Sequence, residues 1–136
     1  MSLDVAAIRH YRDARLLHER GRRENADQLY GFAAECALKA ALVGFGLPAN
    51  PMGEPSERRH REHAQEFWEI AVSFLQGRVA AQLAAMLGQD LPFADWSEVQ
   101  RYQAIQLTPA TLDLHLDGAR RALRVMDEAR LLGNIR

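Results

Sequence analysis

The chain has a single cysteine and a single lysine in 136 residues. A lone Cys36 excludes an internal disulfide and fits a reducing compartment. No apolar run reaches the roughly 20 residues needed to span a bilayer. The N-terminus carries no signal-peptide pattern either, so the chain reads as cytoplasmic, with no membrane partner. Strand-type alternation is missing throughout, which removes sheet architectures from consideration. Internal repeats, low-complexity tracts and domain linkers are also missing, so residues 1–136 read as one domain with one core. What the chain does have is arginine: sixteen, against the single Lys39. Acidic residues offset them, leaving a net charge of −1, so the molecule as a whole is not an electrostatic trap for nucleic acid. Arginine suits forked recognition of phosphate, but a GC-rich genome yields the same bias, and both readings stay open.

Helical periodicity accounts for most of the chain, giving an all-α, antiparallel four- to five-helix bundle. A first helix is expected over about Asp4 to Arg20, capped by Ser2 and stopped by Gly21. Its Leu3, Ala7, His10, Ala14 and Leu17 share one face, while Arg9, Arg12, Arg20 and Arg23 take the solvated side. The second helix, about Glu24 to Val43, is apolar nearly all round, with Gln28, Glu35 and Lys39 forming a narrow polar strip. Such a helix belongs at the centre of a bundle. Cys36, on its Leu29/Ala33/Ala40 face, is expected inside. Three Gly and three Pro then mark a long irregular connection from Gly44 to His60. A third helix is expected from Arg61 or Glu62 and is interrupted at Gly77. A fourth, "RVAAQLAAML", ends at Gly88, and its alanine-rich surface suits pairing of two copies. After a second connection, with room for one helical turn after Ser97, the last helix opens with Thr108 as cap and Pro109 at its first position. It runs to Gly133.

Of the five histidines, His10, His18 and His115 fall on or beside apolar faces, where a packed and hydrogen-bonded ring is the ordinary explanation. The segment "RRHREH" is different. As a metal site, His60 and His63 offer two imidazoles but no third ligand, beside guanidiniums that repel cations; no metal and no cofactor is implied. As a catalytic pair, Arg58 and His63 have Arg-x4-His spacing. The imidazole could take a proton from a ribose 2′-hydroxyl while the guanidinium holds the developing phosphate charge. As structure, His63 starts the third helix and Arg58, Arg59 and Arg61 are solvated.

The stretch from Tyr11 to Pro48, with "AAECALKAAL" at its centre, followed by "HAQEFWE", "WSEVQRY" and a last amphipathic helix, resembles a HEPN domain. The resemblance covers roughly residues 5 to 130. His63, ahead of Phe67 and Trp68, is similar to the element opening the family's third helix. Arg101 and Tyr102 resemble its Arg-Tyr pair ahead of the last helix. The resemblance implies the bundle of nucleotidyltransferase substrate-binding subunits and a homodimer, and it divides function two ways. One branch consists of metal-independent ribonucleases, often toxins, with a late Arg-x4-6-His motif. The other lacks that motif and binds nucleotides, RNA or partners such as minimal nucleotidyltransferases. Here Arg101 is followed by Tyr102, with no histidine four to six residues on, which points to the second branch. On that reading Arg58, Arg59, Arg61, Arg101 and Tyr102 bind the ligand. Glu35 and Lys39 form a structural ion pair, or Glu35 fixes Arg101 or Tyr102. On the nuclease reading Arg58 and His63 catalyse.

Overall fold

The computed structural model describes residues 2–77, 80–99, 107–133 and 135; the candidate ligand residues Arg101 and Tyr102 lie outside them. Five α-helices are present among the described residues: α1 (Leu3–Glu19), α2 (Arg23–Gly44), α3 (Ala64–Gln76), α4 (Ala81–Leu87) and α5 (Pro109–Leu131). The only strand-like feature among them is an isolated bridge between Ala49 and Pro55. The fold is an all-α helical bundle, and none of the described helices is long and apolar enough to cross a membrane.

Helix α2 is the centre of the bundle and packs against α1, α3 and α5. Its buried side chains are mostly small, with Ala26, Ala33, Ala34, Ala37 and Ala41 fully buried. Small side chains on several faces let three neighbours approach one axis, which the all-round apolar pattern anticipated. Cys36 is half-buried rather than inside, and burial pushes its thiol up to about 11. That value keeps it protonated and poorly nucleophilic.

Helix ends follow their sequence signals in some places and depart in others. Thr108 caps α5 as expected, its Oγ1 accepting from the Thr111 N–H at 3.1 Å, with Pro109 in the first turn. Ser2 does not cap α1 through its side chain. The hydroxyl goes to the Asp4 carboxylate, and only the backbone carbonyl serves the helix. Helix α3 starts later than expected, after a 3-10 turn at Arg58–His60. The Arg61 guanidinium donates to the Pro55 carbonyl at 3.1 Å, which ties this residue back to the loop. His63 is extended and becomes the N-cap. Helix α4 is described from Ala81, and residues 78 and 79 of the expected fourth helix lie outside the described chain.

The connection between α4 and α5 is anchored by two aromatic side chains. Trp96 packs against α2 at Gly31, where an added Cβ would sit 2.0 Å from the indole. Phe93 lies against α5 at Gly118, where a Cβ would sit 2.7 Å from the ring. Both aromatics are buried, and the Trp96 Nε1–H donates to the Asp27 carbonyl at 2.9 Å. Glycine costs helix stability; here it provides the room that brings the connection onto α2.

Candidate functional site

Where α2 meets the start of α3, two polar side chains converge on the Glu35 carboxylate. Lys39 Nζ donates to Glu35 Oε2 at 3.0 Å, one helical turn apart on α2. His63 Nδ1 lies 2.8 Å from Glu35 Oε1. An ionised carboxylate only accepts, so Nδ1 carries a proton and Nε2 is the ring nitrogen left without a partner among the described residues. The His63 side chain is 40% exposed and Glu35 13%, so the ring is open to solvent while its support is mostly covered. Lys39 is almost buried and also stands 5.4 Å from the Phe67 ring centre. Phe32 meets the edge of His63 at 6.4 Å and His10 at 6.0 Å. Burial, then the nearby Arg9, lower the pKa of His10, which keeps that ring neutral. The partner of Glu35 across the bundle is thus His63, on the described residues.

The arginines of the loop diverge from this cluster. Arg58 is exposed and is joined to His63 by neither a hydrogen bond nor an ion pair. Arg59 pairs with Glu57 at 2.6 Å, and Arg61 serves the loop carbonyls. His60 is buried and, with Arg59, faces Ile70 and Phe74 of α3 in a shallow hollow. His60 and His63 therefore turn to different helices. Among the described residues no group of three or more His, Cys, Asp or Glu side chains is arranged to hold a metal ion. Acidic groups crowd the start of α3: hydrogen bonding to Glu62 raises the pKa of Glu66, and Gln65 donates to Glu98 at 2.9 Å. The positive field expected of "RRHREH" is largely offset on the spot.

A second polar group, deeper in the bundle, escapes the sequence pattern. His115 of α5 is fully buried, with Nδ1 on Asp27 Oδ1 and Nε2 on Asp95 Oδ1, the latter at 2.7 Å. Asp27 is itself fully buried, and its Oδ2 has no hydrogen-bond partner among the described residues. Phe93 stacks on the imidazole at 5.3 Å. Burial alone would lower the pKa of His115, but the hydrogen bonds and charges of Asp27 and Asp95 outweigh it and the net shift is upward. Burial raises the Asp27 carboxyl. Both ring nitrogens are spent on carboxylates, so neither can serve a substrate. A sequence signal for this group did exist: an aspartate off the polar strip of α2, four residues before the glycine that admits Trp96.

Chemically, His63 is the described histidine that is hydrogen-bonded to a carboxylate through one nitrogen while its ring stays partly exposed. That arrangement can accept a proton or a hydrogen bond. His18 instead spends Nδ1 on the Tyr30 hydroxyl at 2.8 Å. Compared with protein-family models, curated proteins and solved structures, the chain matches none.

Proposed function

We propose that the chain is a non-catalytic HEPN-like module of the cytoplasm that binds a nucleotide, RNA or a partner protein such as a minimal nucleotidyltransferase. The observation that supports this is that His63 is committed to Glu35 and shares neither a hydrogen bond nor an ion pair with Arg58 among the described residues. Arg58 is exposed on the 3-10 turn, whereas His63 is held against Glu35. In-line cleavage of RNA needs a base and a charge stabiliser at one phosphate. Arg58 and Arg59, with Arg101 and Tyr102, are the proposed ligand contacts. The module works as a homodimer, through the exposed Ala81 and Ala85 of α4. The decisive experiment incubates the protein with mixed RNA in EDTA, beside His63→Ala. Intact RNA in both lanes, with binding that weakens in Arg58→Ala/Arg59→Ala, is the expected result. Light scattering over a dilution series tests the dimer.

One observation favours the second reading, a metal-independent endoribonuclease: the open Nε2 of His63 backed by Glu35. EDTA-resistant cleavage abolished in His63→Ala would establish it and remove the first.

A further inference from the structure

The outer face of α1 and α5 carries guanidinium groups with no ion pair among the described residues, bracketed by exposed aliphatic side chains. On α1, positions 5, 9, 12 and 16 fall on one helical stripe. They are Val5, Arg9, Arg12 and Leu16, with Val5 57% and Leu16 52% exposed. On α5, Arg120, Arg124 and Leu131 repeat the pattern, and Leu131 is 79% exposed. The two helices run antiparallel, because Arg130 pairs with Asp4 at 2.9 Å and Arg120 donates to the Tyr11 hydroxyl at 3.0 Å. Val5 and Leu131 therefore lie at the same end. Two hollows of about 390 and 400 Å³ share Ile8 and Arg12, which makes one trough. Its aliphatic floor includes Leu123. The carboxylates that face it are Asp13 and Asp127, and Asp127 is engaged by Arg130 at 3.9 Å. Arg9, Arg12 and Arg124 form no ion pair among the described residues.

We propose that this face is the docking surface for an acidic amphipathic helix of a partner protein. The stripe from Val5 to Leu16 spans about 16 Å at 1.5 Å per residue, the length of three helical turns. A helix with aliphatic residues at i, i+4 and i+7 would cover the floor and the exposed Val5 and Leu131. Its flanking carboxylates would meet the arginines. The observations favour such a helix over nucleic acid. The one aromatic ring in the trough, Tyr11, is packed on Tyr30 at 6.2 Å with its hydroxyl engaged, so no ring is free to stack a base. Exposed aliphatic ends also gain nothing from phosphate. A second copy is disfavoured because a two-fold pairing would set these arginines against their own equivalents. The proposal rests on the binding-module reading, which it narrows to a protein partner, and it shares no residue with the loop of Arg58.

The test titrates the full chain into a fluorescein-labelled synthetic helix with leucines on one stripe and glutamates elsewhere, followed by anisotropy. A peptide with every Glu changed to Gln and a labelled oligouridylate serve as comparisons. Saturable binding of the acidic peptide is expected, weakened about tenfold or more by Arg12→Glu/Arg124→Glu and also by Val5→Ser/Leu131→Ser. All four positions are exposed or half-exposed, and circular dichroism checks that the variants fold. Equal binding of the Gln peptide, or no binding of the acidic one, overturns the proposal. So does oligouridylate binding that is lost in the arginine variant and indifferent to the aliphatic one. A dimer in light scattering that dissociates in Val5→Ser/Leu131→Ser overturns it in favour of a second copy. Oligouridylate binding that depends on Arg58 and Arg59, without peptide binding, removes this surface and leaves the binding-module reading intact.

Discussion

His63 and His115 each rest a ring nitrogen on a carboxylate carried by α2, Glu35 for one and Asp27 for the other. The chemistry available to them is opposite. His115 has a second carboxylate, Asp95, on its remaining nitrogen, and Phe93 covers its face. His63 has solvent there. One histidine is used up as a bolt between α2, α5 and the connection before α5, while the other keeps a reactive edge. A histidine–carboxylate contact does not by itself mark a site. What decides is whether the second nitrogen is spent, and whether the surroundings leave the ring a way to release its proton.

The largest effect should come from breaking the buried group. His115→Ala removes the counter-charge of a fully buried Asp27 whose other oxygen already lacks a partner among the described residues. Leaving a buried charge unpaired costs about 3–5 kcal/mol. Urea unfolding of wild type and variant measures it; a loss below about 1 kcal/mol would mean the two histidines differ less than their geometry says.

Part of that stabilisation should be visible through pH alone. The folded-state pKa of His115 is raised above its ordinary 6.5. A group raised on folding contributes stability that is complete below its unfolded value and is lost as pH rises through the folded one. Unfolding free energy should therefore fall from just above pH 6.5 into the alkaline range. Asp27, raised from 3.8, adds a fall in the same direction at lower pH. In His115→Gln the alkaline fall should flatten. A wild-type profile that rises across that window would show that Asp27 and Asp95 do not hold the proton.

The wall of the buried group offers a third, smaller break. Gly31→Ala puts a methyl inside the Trp96 ring, which must move away and release the Asp27 carbonyl. Overpacking of this kind costs about 1–3 kcal/mol. Tryptophan emission should shift red as the indole gains solvent, whereas the Glu35–His63 contact lies on other atoms and should persist. An unchanged emission would place the indole elsewhere.

These two groups also mark what could be seen in the sequence. The helices, the centrality of α2 and the Thr108 cap all follow from periodicity and from side chains within three or four residues of one another, so a linear reading reaches them. The polar contacts do not. Asp27 and His115 are 88 residues apart, and Glu35 and His63 are 28 apart; both pairings depend on how helices pack. The late start of α3 has the same origin, since Arg61 is committed to Pro55 and Ser56 in a fold that its neighbours do not announce. The charge of "RRHREH" was legible, but not its neutralisation by Glu57 and the acidic start of α3. Asp27 and Gly31 were visible as exceptions in an apolar helix. Their purpose appears only when Trp96 and His115 arrive from distant segments.

The smallest effect should come from the group with the open edge. His63→Ala removes the contact to Glu35, but Glu35 keeps Lys39 at 3.0 Å and is still accessible to water. The cap of α3 is also preserved, because it is the His63 backbone carbonyl, not the ring, that accepts from Glu66 and Phe67. What is lost is one partly exposed hydrogen bond and a ring edge against Phe32, together about 0.5–1 kcal/mol. Urea unfolding run beside His115→Ala gives the difference directly. A loss for His63→Ala as large as for His115→Ala would make both histidines structural bolts and erase the contrast between them. A loss at the small end leaves a ring that the fold supports through Glu35 but hardly needs.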